Sequence, residues 1–307
     1  MGLFDRFYYG KAGKADYTED DLPVNRFQLF GQVLRVRLWS LMRLNLIQLL
    51  FWLPMGVLTL MTLMGAMSMA AELFEREAAL AEVTDQLLGL LSTYFVLLIP
   101  CILITGPSSA AAAHVARNWA RDQHSFLWSD FKDAFKQNWK QGLCVSAISS
   151  VMPYLMLVGI TFYGEVAQST TPIAVAGQVL VIAMGVIWGL ALTFVYPLMV
   201  GYELRLGKLL RNALLLAVAR LPFVAALRLA TLLPLIVGLV MFYTGGMYGL
   251  LVIGLYYLLL GFALSRLVSA SFANGVFDKY INPHIEGAPV NLGLRADEDE
   301  EDADDDE

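Results

Sequence analysis

Apolar residues gather in six long blocks along this chain, at residues 46–70, 87–105, 143–163, 173–200, 223–243 and 247–268, with polar residues collected between them. A helical residue advances about 1.5 Å and the hydrocarbon core of a bilayer is about 30 Å thick, so ~20 mostly apolar residues cross it. Each block meets that length. A backbone in lipid has no water to bond, so each block is predicted to be a helix that pairs its own N–H and C=O groups. The pattern predicts an all-α polytopic membrane protein, with six transmembrane helices as three hairpins and amphipathic interfacial helices on the cytoplasmic side.

Two polar stretches carry the interfacial helices. Residues 25–45 form a basic helix whose Phe27, Phe30, Leu34, Leu38 and Leu41 are expected to face the membrane. The second lies in the middle of the chain and reads GPSSAAAAHVARNWARDQHSFLWSDFKDAFKQNWKQG, residues 106–142. At about 100° per residue, Trp128, Phe131, Phe135 and Trp139 fall in one arc, and Lys132, Lys136 and Lys140 form the adjacent stripe. This predicts a helix lying in the plane of the membrane, its rings in the acyl boundary and its ammonium groups on the phosphates of anionic lipids, with Ser125 or Ser129 as N-cap. A protein-docking surface would use the same stripe. Ahead of it, Gly106 and Pro107 are expected to form a turn that ends the second span, and the alanine run after them offers a small-residue face for close packing.

Composition agrees with the pattern: 58% of the 307 residues are hydrophobic and the mean hydropathy is +0.61, beyond a water-soluble domain. Charge sets the orientation, since cytoplasmic loops keep an excess of Lys and Arg. Of the 21 basic residues only Arg76 falls in an expected outer loop, so both termini are placed on the cytoplasmic side. Arg228 lies just inside the fifth span, where a long side chain would snorkel to the headgroups. Ten of the eleven residues 297–307 are Asp or Glu, so without them the formal net charge of −6 becomes +4. The organisation read from this is a leader at 1–24, a six-span membrane domain at 25–282 and an acidic, disordered tail at 283–307. The leader has no h-region of a secretory signal, and position six is Arg where N-myristoylation wants Ser or Thr.

The chemistry that such residues suggest is sparse. No acid lies inside a span, whereas ion-coupled transporters keep an ionisable group near mid-membrane. Backbone carbonyls at helices broken at Pro54, Pro100, Pro153, Pro197 or Pro234 are the alternative ligands. Glu203, at the inner end of the fourth span, is expected to pair with Arg205, Lys208 and Arg211, and together with Asn212 and Arg228 it marks a possible polar site. His114, His124 and His284 are scattered without the spacing of a metal site, and Cys101 and Cys144 read as small apolar fillers. Trp188, between Gly185 and Gly189, suits tight helix packing. No cofactor, metal or nucleic-acid partner is implied. A basic residue, then Asn45, Asn138 or Asn212, an apolar span and a proline recur three times, which either marks a threefold repeat of lead-in helix and hairpin or follows from placing basic residues before spans.

The central motif also resembles that of the YesL-like bacterial membrane proteins. The matching positions are Gly106, Pro107, Phe131, Phe135, Lys136, Asn138, Trp139, Lys140 and Gln141, and the later stretch VYPLMVGYELRLGKLLRNALLLAVARLP, with Pro197 and Asn212, is similar to the family's fourth span and its exit. The resemblance covers residues 25–279 and implies six spans. The family has no assigned biochemical activity, and its members are often encoded beside carbohydrate ABC-transporter parts, which implies a link to sugar uptake and to ABC permease subunits as partners. The acidic tail departs from the family pattern. Three function classes follow: an accessory or scaffold protein for carbohydrate uptake, a stand-alone channel or exporter for a small solute, and a membrane enzyme. The last fits least, because the sequence offers no paired carboxylates, nucleophile with base, or metal cluster.

Overall fold

A computed structural model describes residues 22–166 and 171–295, which form helices joined by short turns, with no strand among the described residues. Most of the expected leader and the acidic run at 297–307 lie outside the described residues. In chain order the helices are α1 (Arg26–Glu75), α2 (Leu80–Leu103), α3 (Thr105–Trp119), α4 (Leu127–Val166), α5 (Thr171–Gly201), α6 (Leu206–Ala219), α7 (Leu221–Gly245), α8 (Met247–Tyr256) and α9 (Phe262–Tyr280). A π-helical segment, Tyr257–Gly261, carries α8 into α9 without a break. Six helical runs are long and apolar enough to cross a membrane; they contain five of the six blocks read from the sequence and residues 87–103 of the second. Neighbours in sequence pack together: α1 on α2, α4 on α5 and α7 on α8.

Two of the helices are much longer than a bilayer needs. With 50 and 40 residues, α1 and α4 extend about 75 Å and 60 Å at 1.5 Å per residue, against a hydrocarbon core of about 30 Å. Their excess length builds a packed layer at the basic end of the molecule. The largest fully buried side chains belong there, among them Trp119, Phe194, Phe277, Leu29, Leu41, Leu44, Leu198 and Leu209. Toward the opposite turns, near Arg76 and Gly246, the helices expose Leu60, Met61, Met64, Leu233, Ile236 and Val240, the surface that lipid tails would cover.

The centre of the packed layer is α3, which touches α1, α2, α4, α5 and α9. Its alanines make this possible, since Ala110, Ala111, Ala112, Ala113 and Ala116 are all buried and let five neighbouring backbones close in. Gly106 and Pro107 belong to this helix and are not a turn before it: the chain bends at Ile104, and both residues occupy the first turn of α3. Proline is tolerated there because N–H groups in a first turn have no intrahelical acceptor.

Three other expectations are corrected by the helices themselves. Pro54, Pro100, Pro153, Pro197 and Pro234 all lie within continuous helix, so none of them marks a broken span. The irregular dihedrals in α1 fall at Arg37, with φ −105° and ψ 15°. The buried face of α1 runs through Leu29, Val33, Leu41 and Leu44, so Leu41, expected toward the membrane, packs in the core instead. Finally, α4 runs unbroken from the motif residues into its apolar half. A helix continuous with a spanning segment continues its course out of the bilayer, so the motif helix is an extension of the span and does not lie flat beside it.

Candidate functional site

The motif residues separate into an inner and an outer face on the first half of α4. Phe131 is 4% exposed and packs in the core, and Phe135 meets Phe51 of α1 with ring centroids 5.8 Å apart. Gln141 donates from Nε2 to the Leu204 carbonyl at 2.9 Å, tying α4 to the turn after α5. Asn138 donates to the Ala134 carbonyl of its own helix. Asp130 begins the helix by accepting from the Phe126 N–H and the Ser125 hydroxyl, so Ser125 takes part in the cap as a donor to a carboxylate. Outside remain Lys132, Lys136, Lys140, Trp128 and Trp139, with the Lys140 ammonium 5.6 Å from the Trp139 ring centre. The expected collar thus loses both phenylalanines to the core and keeps its lysines and tryptophans.

The asparagines of the proposed repeat do three different things. Asn45 is fully buried and serves the π-helical segment: its Nδ2 donates to the Tyr257 and Leu258 carbonyls at 2.8 and 2.9 Å, and its Oδ1 accepts from the Phe262 and Ala263 N–H groups at 2.9 and 3.1 Å. A π turn frees backbone groups from their helical partners, and one side-chain amide has the two donors and two lone pairs to satisfy four of them. Asn138 bonds within its own helix, and Asn212 is half-buried on α6. No common role links the three.

A polar cluster closes the basic end. Arg26 of α1 pairs with the buried Asp278 of α9. Asp278 also accepts from Asn282 and, at 3.3 Å, from the Asn291 N–H, while the Tyr202 hydroxyl donates to Asn282 Oδ1 at 2.6 Å. Arg121 reaches the Pro289 carbonyl at 3.2 Å, and Arg117 lies against Gly201 with its Nε buried and unpartnered. Burial, then the neighbouring Arg121, lowers the Arg117 pKa from its ordinary range. His114, on the same helix, is lowered by burial.

A second cluster lies between α3, α5 and α9. The Arg266 guanidinium donates to Ser109 Oγ at 2.7 Å and stacks 4.7 Å from the centre of the Tyr196 ring. Arg228 of α7 is half-buried. Its Nε is enclosed without a hydrogen-bond partner. Glu203 is exposed and makes no ion pair among the described residues, Arg205 is exposed beside it, and neither joins Arg228 or Asn212. Sequence reading missed Arg266, Ser109 and Tyr196 as a group; the signal was an arginine just inside each of the last two apolar blocks, the two halves of one hairpin.

Trp188 is buried and its indole donates to Ser149 Oγ of α4 at 3.1 Å, with Met156 against Gly185. Cys101 and Cys144 are free thiols.

Against known proteins, residues 87–160 match a family described as "Protein of unknown function, DUF624". A segment of 115 residues is 33% identical to the "Uncharacterized protein YesV" of Bacillus subtilis (strain 168), covering 37% of this chain and 54% of that protein. The chain thus spans about half the length of the curated relative it matches. No solved structure matches. The matched residues contain α3 and most of α4, the two helices whose glycine and alanine contacts hold the packed layer together, and through them the chain is similar to an uncharacterised bacterial family, DUF624.

Proposed function

We propose that this chain is a multi-pass protein of the bacterial plasma membrane, built as three outward hairpins, whose basic end is cytoplasmic and acts as a scaffold or accessory surface for carbohydrate uptake of the ABC type. The observation that carries the reading is the outward extension of α1 and α4 into a packed layer that exposes Trp128, Lys132, Lys136, Trp139 and Lys140. Such a layer is a rigid platform, and exposed lysines beside tryptophans suit a partner's acidic surface or the anionic headgroups around it. The link to sugar uptake and to permease subunits rests on the family resemblance of the motif. No catalysis, cofactor or nucleic acid enters this reading.

A stand-alone channel or exporter is the second reading, favoured by the six apolar runs and by an arginine within each of the last two, Arg228 and Arg266. Affinity purification of the full chain from native membrane, with and without residues 297–307, separates the two. Recovery of an ABC permease supports the scaffold; solute flux through liposomes holding this chain alone supports the channel and removes the scaffold reading.

A further inference from the structure

At the basic end α9 packs against both α1 and α7, and residues of all three line a groove of about 430 Å³, within the ~300–1,000 Å³ of small-molecule sites. Phe30 of α1, Phe223 and Leu227 of α7, and Val268 and Phe272 of α9 make its lining mainly apolar. Its charged lining is Arg26, already met by Asp278, and Arg220. Arg220 immediately precedes the apolar run Leu221–Gly245. That places it at the headgroup layer, with Leu227 about 10 Å deeper along the helix.

The cation at this end of the groove is held in position. The Arg220 guanidinium donates to the Tyr280 hydroxyl, and its centre lies 4.7 Å from the Tyr280 ring and 5.8 Å from the Phe223 ring. The Lys279 ammonium lies 5.8 Å from the same Tyr280 ring. Two cations therefore flank one aromatic side chain, and both Lys279 and Tyr280 are exposed. A guanidinium has five N–H donors in a planar fork, and the bond to Tyr280 uses one of them. Such a fork, fixed between rings, is prepared for the oxygens of a phosphate.

We propose that the groove between α1, α7 and α9 binds one phospholipid with an anionic headgroup, its phosphate on Arg220 and Lys279 and one acyl chain along Phe30, Phe223, Leu227 and Phe272. Charge complementarity selects this occupant. An apolar chain fits the lining, a phosphate fits the two cations, and a bilayer lipid joins the two at this depth. A zwitterionic lipid brings its own ammonium group, which Arg220 and Lys279 repel. The bound lipid bridges α1 to α7, and the site needs only a bilayer around the chain, whatever its basic end recruits.

The full chain in maltoside detergent is given phosphatidylglycerol or phosphatidylcholine of equal acyl length, each with a photoreactive diazirine in one chain, and labelled residues are mapped by peptide mass spectrometry. Phosphatidylglycerol is expected to label residues 27–30, 223–227 and 268–276 about tenfold more than phosphatidylcholine does, while both lipids label the exposed Leu233 and Ile236 equally. K279Q, at an exposed position, should lower the preference about threefold. R220Q with K279Q should abolish it, and R211Q, on the exposed face of α6, should leave it intact. Equal labelling of the wild-type groove by both lipids makes the occupant ordinary boundary lipid and overturns the proposal, as does a groove that neither lipid labels. A groove shielded from both lipids in a chain that runs as a dimer assigns it to a second copy instead. A preference that survives the double substitution also overturns the site.

Discussion

Gly106 of α3 and Gly142 of α4 meet backbone to backbone. A Cβ built on Gly142 would come within 3.0 Å of the Gly106 carbonyl, and one built on Gly106 would overlap the Gly142 carbonyl oxygen. Neither obstacle is a movable side chain, so the helices must separate to admit a methyl group.

Gly106→Ala is therefore expected to destabilise the fold by about 1–3 kcal/mol. Gly31, also within a helix, has nothing within 4 Å of a built Cβ, and Gly31→Ala should stabilise by about 0.5–1 kcal/mol because it restricts only the unfolded chain and the helix backbone. Thermal unfolding in detergent, monitored by helical circular dichroism, compares the two. Equal effects would show that the α3–α4 contact is not tight.

Removing Asn45 leaves the Tyr257 and Leu258 carbonyls and the Phe262 and Ala263 N–H groups without their partner. Asn45→Ala should cost about 2 kcal/mol or more, since buried backbone groups lose their compensation. Hydrogen exchange at residues 257–263 should rise with it. Asn138→Ala and Asn212→Ala should each change stability by less than about 0.5 kcal/mol; equal losses at all three would restore the threefold repeat.

Asp278 is the acceptor on which Arg26, Asn282 and the Asn291 N–H converge. Asp278→Ala leaves the guanidinium of Arg26 in a largely buried place and is expected to cost about 3 kcal/mol. Limited proteolysis between residues 281 and 295 provides the local readout, because that segment is held through Asn282 and Asn291.

Burial lowers the His114 pKa below the 6.5 of a solvated imidazole, with the Asp130 charge opposing it and Arg117 adding to it. The unfolded chain therefore binds a proton at a higher pH than the folded one, so the contribution of His114 is complete above pH 6.5 and declines as pH falls toward the lower folded value. His114→Gln should flatten this part of the midpoint-versus-pH curve. An unchanged curve would mean that the imidazole is solvated.

Lys132, Lys136 and Lys140 are exposed and support no core contact. Changing all three to Glu should move the unfolding midpoint little, as surface substitutions do, while abolishing copurification of a permease. A permease retained at wild-type yield by the triple variant would remove this face from the proposed function.

Hydropathy gave the six spans with little ambiguity, and helix phase placed Phe131 on the same side as Phe135. It also placed Trp128 and Trp139 with them, although these two are 66% and 46% exposed. In lipid the distinction fails for a physical reason: an apolar side chain is equally suited to a protein core and to acyl chains, so hydrophobicity no longer separates inside from outside. Small residues carry more information there. The alanines of residues 110–113 forecast close packing because small side chains permit it, and all four are buried in α3.

What the sequence determined by itself is which segments are helical and long enough to span, because backbone pairing in lipid admits no other solution and depends on local composition alone. Only the tertiary structure decided that α4 joins the motif to its apolar half as one helix, that Asn45 answers the π turn of a distant helix, and that Arg266 bonds Ser109 and stacks on Tyr196. Each of these joins residues separated by many positions, and a periodic pattern along one helix has no term for the neighbour that completes it.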